Sequence, residues 1–175
     1  MVRDVSKMIG RLARVMVLGT ALGLALLTTS GVSSAEEAAS PASIGTLTYL
    51  STTVNSVKQV HGDTIIDKDT TLVYTGGLVG TSHGHGVLIF HHDGTANFHD
   101  LEVFTGTVNG VPGTVTFDLQ GSSDPDLVVT ASDTILSATG QLAGLHGVLH
   151  ESAVVLDKAI GPVGIYHGHL HIGHN

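Results

Sequence analysis

From Ile44 onward the chain consists of short runs rich in Val, Ile, Leu, Thr and Phe, broken by glycine and turn dipeptides roughly every 8 to 12 residues. Where the pattern is clean its period is two. Val115, Phe117 and Leu119 alternate with Thr114, Thr116 and Asp118, which gives one apolar and one polar face, as on a half-buried strand. Helical periodicity is absent. Asp93-Gly94 lies at the centre of "VLIFHHDGTANFHDLEVF" and Asn109-Gly110 at the centre of "VFTGTVNGVPGTVTFDLQG". Both dipeptides tolerate the positive φ angles of a tight turn, so both stretches are predicted to be β-hairpins.

Other strands are less one-sided. In "TANFHDLEVFTG" one parity carries Phe98, Asp100, Glu102 and Phe104 and the other Asn97, His99, Leu101 and Val103, so the pattern leaves open which face points inward. A strand with two partly apolar faces suits a barrel that encloses a ligand-sized lumen and packs its outside against a helix or another subunit. A homodimer or trimer is the corresponding expectation. The 23 glycines fit the bends and bulges that closing a sheet requires. The fold expected is all-β: one antiparallel, lipocalin-like barrel of about eight strands over residues 44–175, behind a flexible leader at 36–43.

Composition adds a compartment. Arg3, Lys7, Arg11 and Arg14 precede the 13-residue apolar run Val15 to Leu27, and Ser33 and Ala35 supply the small residues of a cleavage site. Residues 1–35 therefore read as a secretory signal peptide, a helix too short to remain as a permanent membrane anchor. Cleavage near Ala35 would leave a secreted, extracytoplasmic domain of ordinary size. It would keep three lysines against 14 acidic residues, a net charge of −11, which argues against nucleic acid as a partner. All twelve histidines lie in that part, so its charge would move from −11 toward about zero between neutral pH and pH ~5. There is no cysteine, so packing alone must hold the domain.

The segment from "YTGGLVGTSHGHG" to "TVTFDLQG", with the later "SATGQLAGLHGVLHES", resembles a bacterial domain-of-unknown-function family with an allene oxide cyclase-like, dirigent-like barrel. Tyr74, Gly76 and Gly80 carry the resemblance, with Leu101-Glu102, then Gly106, Thr107, Gly110 and Gly113, then Ser137, Thr139, Gly140, Leu142, Gly144, Leu145 and Gly147. Ala138 stands where that family usually has glycine. The resemblance implies an isomerase or cyclase that works by templating: an apolar cavity folds a polyketide- or lipid-like substrate of a natural-product pathway into its near-attack shape.

The candidate catalytic residues are Glu102, Glu151 and Tyr74. Glu102 coincides with the glutamate of the family and Glu151 sits between Leu149 and Ala153; in an apolar cavity either carboxyl would have a raised pKa and could protonate or orient a substrate oxygen. Phe90, Phe98, Phe104 and Tyr166 are the expected cavity lining for a small apolar ligand, with no cofactor. The alternative is a non-catalytic metal-binding or pH-responsive protein. His167, His169 and His171 share one strand face, but residues four apart on a strand lie about 13 Å from each other. They can bind Zn or another divalent transition metal only pairwise, unless His83, His85, His91, His99 or His150 joins from a neighbouring strand. His150-Glu151 lacks the second histidine of a zinc-protease motif, and Asp67-Lys68-Asp69 lacks the glycine and glutamate of a calcium loop.

Overall fold

The computed structural model describes residues 42–157 and 161–173; the expected signal peptide and residues 36–41 of the leader lie outside the described residues. Eight strands follow one another: β1 (Ala42–Val60), β2 (Asp63–Gly76), β3 (Leu78–Phe90), β4 (Ala96–Val108), β5 (Val111–Ser123), β6 (Val128–Gly140), β7 (Leu145–Asp157) and β8 (Gly161–Ile172). Each pairs antiparallel with the next and β8 pairs with β1, so the sheet closes into a barrel. The first strand begins two residues before the expected domain boundary, because Ala42 and Ser43 already pair with His169 and Gly168 of β8.

The two hairpins read from the sequence are present. Asn109 (φ 49°) and Gly110 (φ 83°) both adopt the left-handed region between the paired Val108 and Val111, the geometry that a two-residue turn matched to strand twist requires. At Asp93-Gly94 the loop is longer: His91 N–H donates to Thr95 O (2.9 Å), and Asp93 Oδ1 accepts from both Thr95 N–H and Thr95 Oγ1–H. A third tight turn, His61-Gly62 between Val60 and Asp63, uses a histidine at φ 52°, a residue type that visits this region more readily than most.

Closure decides which parity points inward. On β4 it is Phe98, Asp100, Glu102 and Phe104, while Leu101 (51 % exposed) and Val103 (40 %) face outward. Aliphatic side chains on the outer wall and carboxylates in the lumen are the reverse of a simple apolar-inside pattern. On β5 the clean alternation holds as expected, with Val115, Phe117 and Leu119 buried.

The lumen is filled at one end and hollow at the other. At the end with the Gly76-Gly77 and Asn109-Gly110 turns, Leu47, Leu72, Tyr74, Phe104, Phe117 and Leu149 form part of a buried apolar plug. Tyr166 pins this end. Its hydroxyl accepts from Leu78 N–H (2.6 Å) and donates to Thr75 O (2.9 Å), which ties β8 to the β2–β3 turn. Tyr166→Phe is expected to cost about 1–2 kcal/mol, because a buried amide loses its acceptor. Urea unfolding with an unchanged m-value checks this, and a loss below about 0.5 kcal/mol would show that the tie is dispensable.

At the other end β1 outruns its partner. Its pairing with β8 stops at Thr48, whereas its pairing with β2 continues to Val60 with register shifts after Tyr49 and Val54. The end of the barrel is therefore flanked by a two-stranded extension on which Leu50, Val54 and Val57 are more than half exposed.

Candidate functional site

The hollow end holds a cavity of ≈ 280 Å³, near the small end of the range for ligand pockets. Its wall is mostly apolar: Leu47 and Tyr49 from β1, Ile66 from β2, Leu88 and Phe90 from β3, Phe98 from β4, Val129 from β6 and Ala153 from β7. Thr52, Val54, Val155 and Pro162 flank it where β1 parts from β8. Two charged side chains line it, Lys68 and Glu151.

Both belong to a polar belt between cavity and plug. Lys68, Thr70, Ser82, Asp100, Glu102, Asp133 and Glu151 are all buried and all on inward-facing positions. The belt is assembled by register. Lys68, Gly86 and Asp100 lie in one row across β2, β3 and β4, and Thr70, Gly84 and Glu102 in the next. Two strand spacings separate β2 from β4, about 10 Å, and the Lys68 ammonium crosses above Gly86 to pair with Asp100 Oδ2. A Cβ on residue 86 would sit 2.1 Å from Asp100 Oδ1 and 2.2 Å from the His99 carbonyl oxygen, so only glycine leaves the crossing open.

Tyr74 joins the two glutamates. Its hydroxyl lies 2.8 Å from Glu102 Oε1 and 3.3 Å from Glu151 Oε1, and donates to one or the other. Burial raises the Glu102 pKa, with the Ser82 and then the Tyr74 hydroxyl working against it. Burial pushes Glu151 up to about 7, and the Glu102 charge adds to the shift. Asp133 is pushed well above the usual carboxylate range, first by burial and then by the charge of Glu151. Burial and neighbouring carboxylates also hold the Tyr49 and Tyr74 phenols neutral. A carboxyl that titrates near neutrality at the base of an apolar cavity can give or take a proton in that pH range.

The structure thus brings Glu102, Glu151 and Tyr74 together, but in an order the sequence did not reveal. Glu151 reaches the cavity, whereas Glu102 lies beneath it and acts on Glu151 through Tyr74. Phe90 and Phe98 line the cavity. Phe104 and Tyr166 do not: both are wholly buried in the plug, with their rings edge-on to that of Tyr74. Lys68, Tyr49, Asp100 and Asp133 were not foreseen as parts of the site.

His167, His169 and His171 are on the outer wall of β8, facing away from the cavity. Two cross-strand pairs form there. His150 lies opposite His167 with ring centroids 5.7 Å apart, and His146 opposite His171 at 4.6 Å. His83, His85 and His99 also face outward, with His85 on Asp69 and His99 on Asp118. Among the described residues no three His, Asp or Glu side chains converge on one point as metal ligands.

With this geometry in place, the chain can be set beside known proteins. No curated protein matches it. A solved structure from Shewanella oneidensis MR-1, described as a protein of unknown function from the DUF3224 family, is similar over 78 % of this chain and 99 % of its own. The TM-score is 0.59 and the identity 14 %, so the likeness is one of fold. The family described as "Protein of unknown function (DUF3224)" matches residues 44–154. That span runs from β1 into β7 and takes in Lys68, Asp100, Glu102, Asp133 and Glu151, and the chain belongs to the DUF3224 family.

Proposed function

We propose that the barrel binds a small, largely apolar molecule in its hollow end, outside the cytoplasm, with Glu151 as the group that orients it or exchanges a proton with it. The observation that carries this reading is the combination in one cavity of apolar walls with a single carboxyl whose pKa is about 7. Aromatic and aliphatic walls supply affinity without fixing a reaction, while a carboxyl poised near neutrality is suited to general acid–base work. In its catalytic form the site is an isomerase or cyclase. The walls fold a flexible substrate into a reactive shape, and Glu151, held by Tyr74 with Glu102 behind it, protonates or deprotonates the substrate.

The test is binding of a neutral fluorescent apolar probe, N-phenyl-1-naphthylamine. Saturable one-to-one binding is expected for the natural chain, together with its loss in Val129→Trp, which fills the cavity from β6. If that variant keeps its circular dichroism spectrum and binds as well as the natural chain, the cavity is not the binding site.

A further inference from the structure

The belt beneath the cavity holds more carboxyls than cations. Four buried carboxyls, Asp100, Glu102, Asp133 and Glu151, face one buried ammonium, that of Lys68. Lys68 is committed to Asp100, and the Tyr74 hydroxyl has one proton for two glutamates. Asp133, which is 1 % exposed, accepts no N–H or O–H from the belt and meets the Glu151 carboxyl instead, a contact that needs a proton between them, while Asp100 Oδ1 and the Thr70 hydroxyl are also buried without a partner. Buried carboxyls in this state are costly unless protons or a cation neutralise them. No three of them are placed as ligands around one metal ion, and the cavity above is apolar and large enough for an organic molecule.

We infer that the molecule bound by the barrel carries a protonated amine, whose ammonium group seats on Glu151 at the cavity base with Asp133 behind it while the apolar remainder fills the cavity. This inference rests on the cavity being a binding site. An ammonium brings one positive charge to a belt short of cations, with three N–H groups that Glu151 and Asp133 can accept. Lys68 does not block it, because its charge is drawn toward β4 by Asp100. A carboxylate ligand would meet the opposite situation, since the cation it needs is already paired.

Seating the cation also expels a proton. The groups that face Glu151 are Lys68 and Tyr74 from β2, Asp100 and Glu102 from β4, Asp133 from β6, Tyr49 from β1 and Tyr166 across the register on β8. Of these, Glu151 titrates at about 7 and Asp133 is raised beside it, and a proton held by these two carboxyls leaves to solvent as the ammonium arrives.

The experiment is calorimetric titration of the full chain with three ligands of one shape: octylammonium, 1-octanol and octanoate. At about pH 8 octylammonium should bind about tenfold or more tighter than octanol, and octanoate weakest. The ammonium preference should shrink toward pH ~5.5, while octanol affinity stays flat, and it should vanish in Asp133→Asn and Glu151→Gln. Repeating the titration in buffers of different ionisation enthalpy should show net proton release with octylammonium alone, a readout on the natural chain that does not depend on how the variants fold. If octanol binds as tightly as octylammonium, the charge inference is overturned and the apolar site stands. If none of the three binds, the site itself is wrong.

Discussion

Lys68→Met is expected to lower the folding free energy by about 3–5 kcal/mol, the cost of leaving a buried charge without its partner. Methionine replaces the stem of the lysine almost methylene for methylene, so packing against β3 changes little and the loss is electrostatic. It removes the one buried cation of a belt that already holds four carboxyls. Urea unfolding near neutral pH measures the loss. Two controls keep packing and charge apart. Lys68→Met with Asp100→Leu removes both members of the pair and should recover most of the stability, because an apolar replacement for a buried ion pair is often neutral. Acidification, which neutralises unpaired buried carboxylates, should narrow the gap between Lys68→Met and the natural chain. If the single variant loses less than about 1 kcal/mol, Lys68 does not hold the belt together.

The belt shows what kind of information the sequence carries in the open and what it hides. The number of strands and the turn at Asn109-Gly110 follow from local composition, because φ preference and alternation act within a few residues. Inward parity on β4 does not. Seen alone, Leu101 and Val103 make as good an inner face as Phe98 and Phe104, and only the neighbours β3 and β5 decide between them. The signal that would have found the rest of the site was present but scattered. Lys68 stands at the apolar parity of β2 between Ile66 and Leu72, Asp133 between Ala131 and Ile135 on β6, and Glu151 between Leu149 and Ala153 on β7. Each alone reads as an isolated charge in an otherwise apolar face. Barrel register brings them to one level, and register is a property of pairing across the sheet rather than of any one strand. The glycines of "SHGHG" hide a role in the same way. Beside the outward-facing histidines, Gly86 forms the gap across which Lys68 meets Asp100, and Gly84 the gap between Thr70 and Glu102.

Stability should fall, not rise, as the pH is raised from about 5 to about 8. The direction follows from which state holds the proton more tightly. Burial lifts the Glu151 pKa from its ordinary 4.5 to about 7 in the folded chain, so between those values the folded state binds more protons than the unfolded one. The stabilisation is therefore complete below 4.5 and is lost as the pH climbs through 7, about 3 kcal/mol in all for this group. Asp133 and Glu102 are shifted in the same direction and add to the fall. The exposed Asp69, Asp93 and Asp118 have lowered pKa values and act below the pH range tested. His85 is raised by its hydrogen bond to Asp69, and its small exposed contribution runs the same way as that of Glu151. Glu151→Gln separates the two. A neutral amide of the same shape cannot pay the ionisation cost, so the variant should show a shallower decline and be the more stable protein at pH ~8. A natural chain whose stability is flat or rises over this range, or a variant with an undiminished slope, would show that the carboxyls beneath the cavity ionise freely, and the case for Glu151 as a neutral-pH acid or base would go with it.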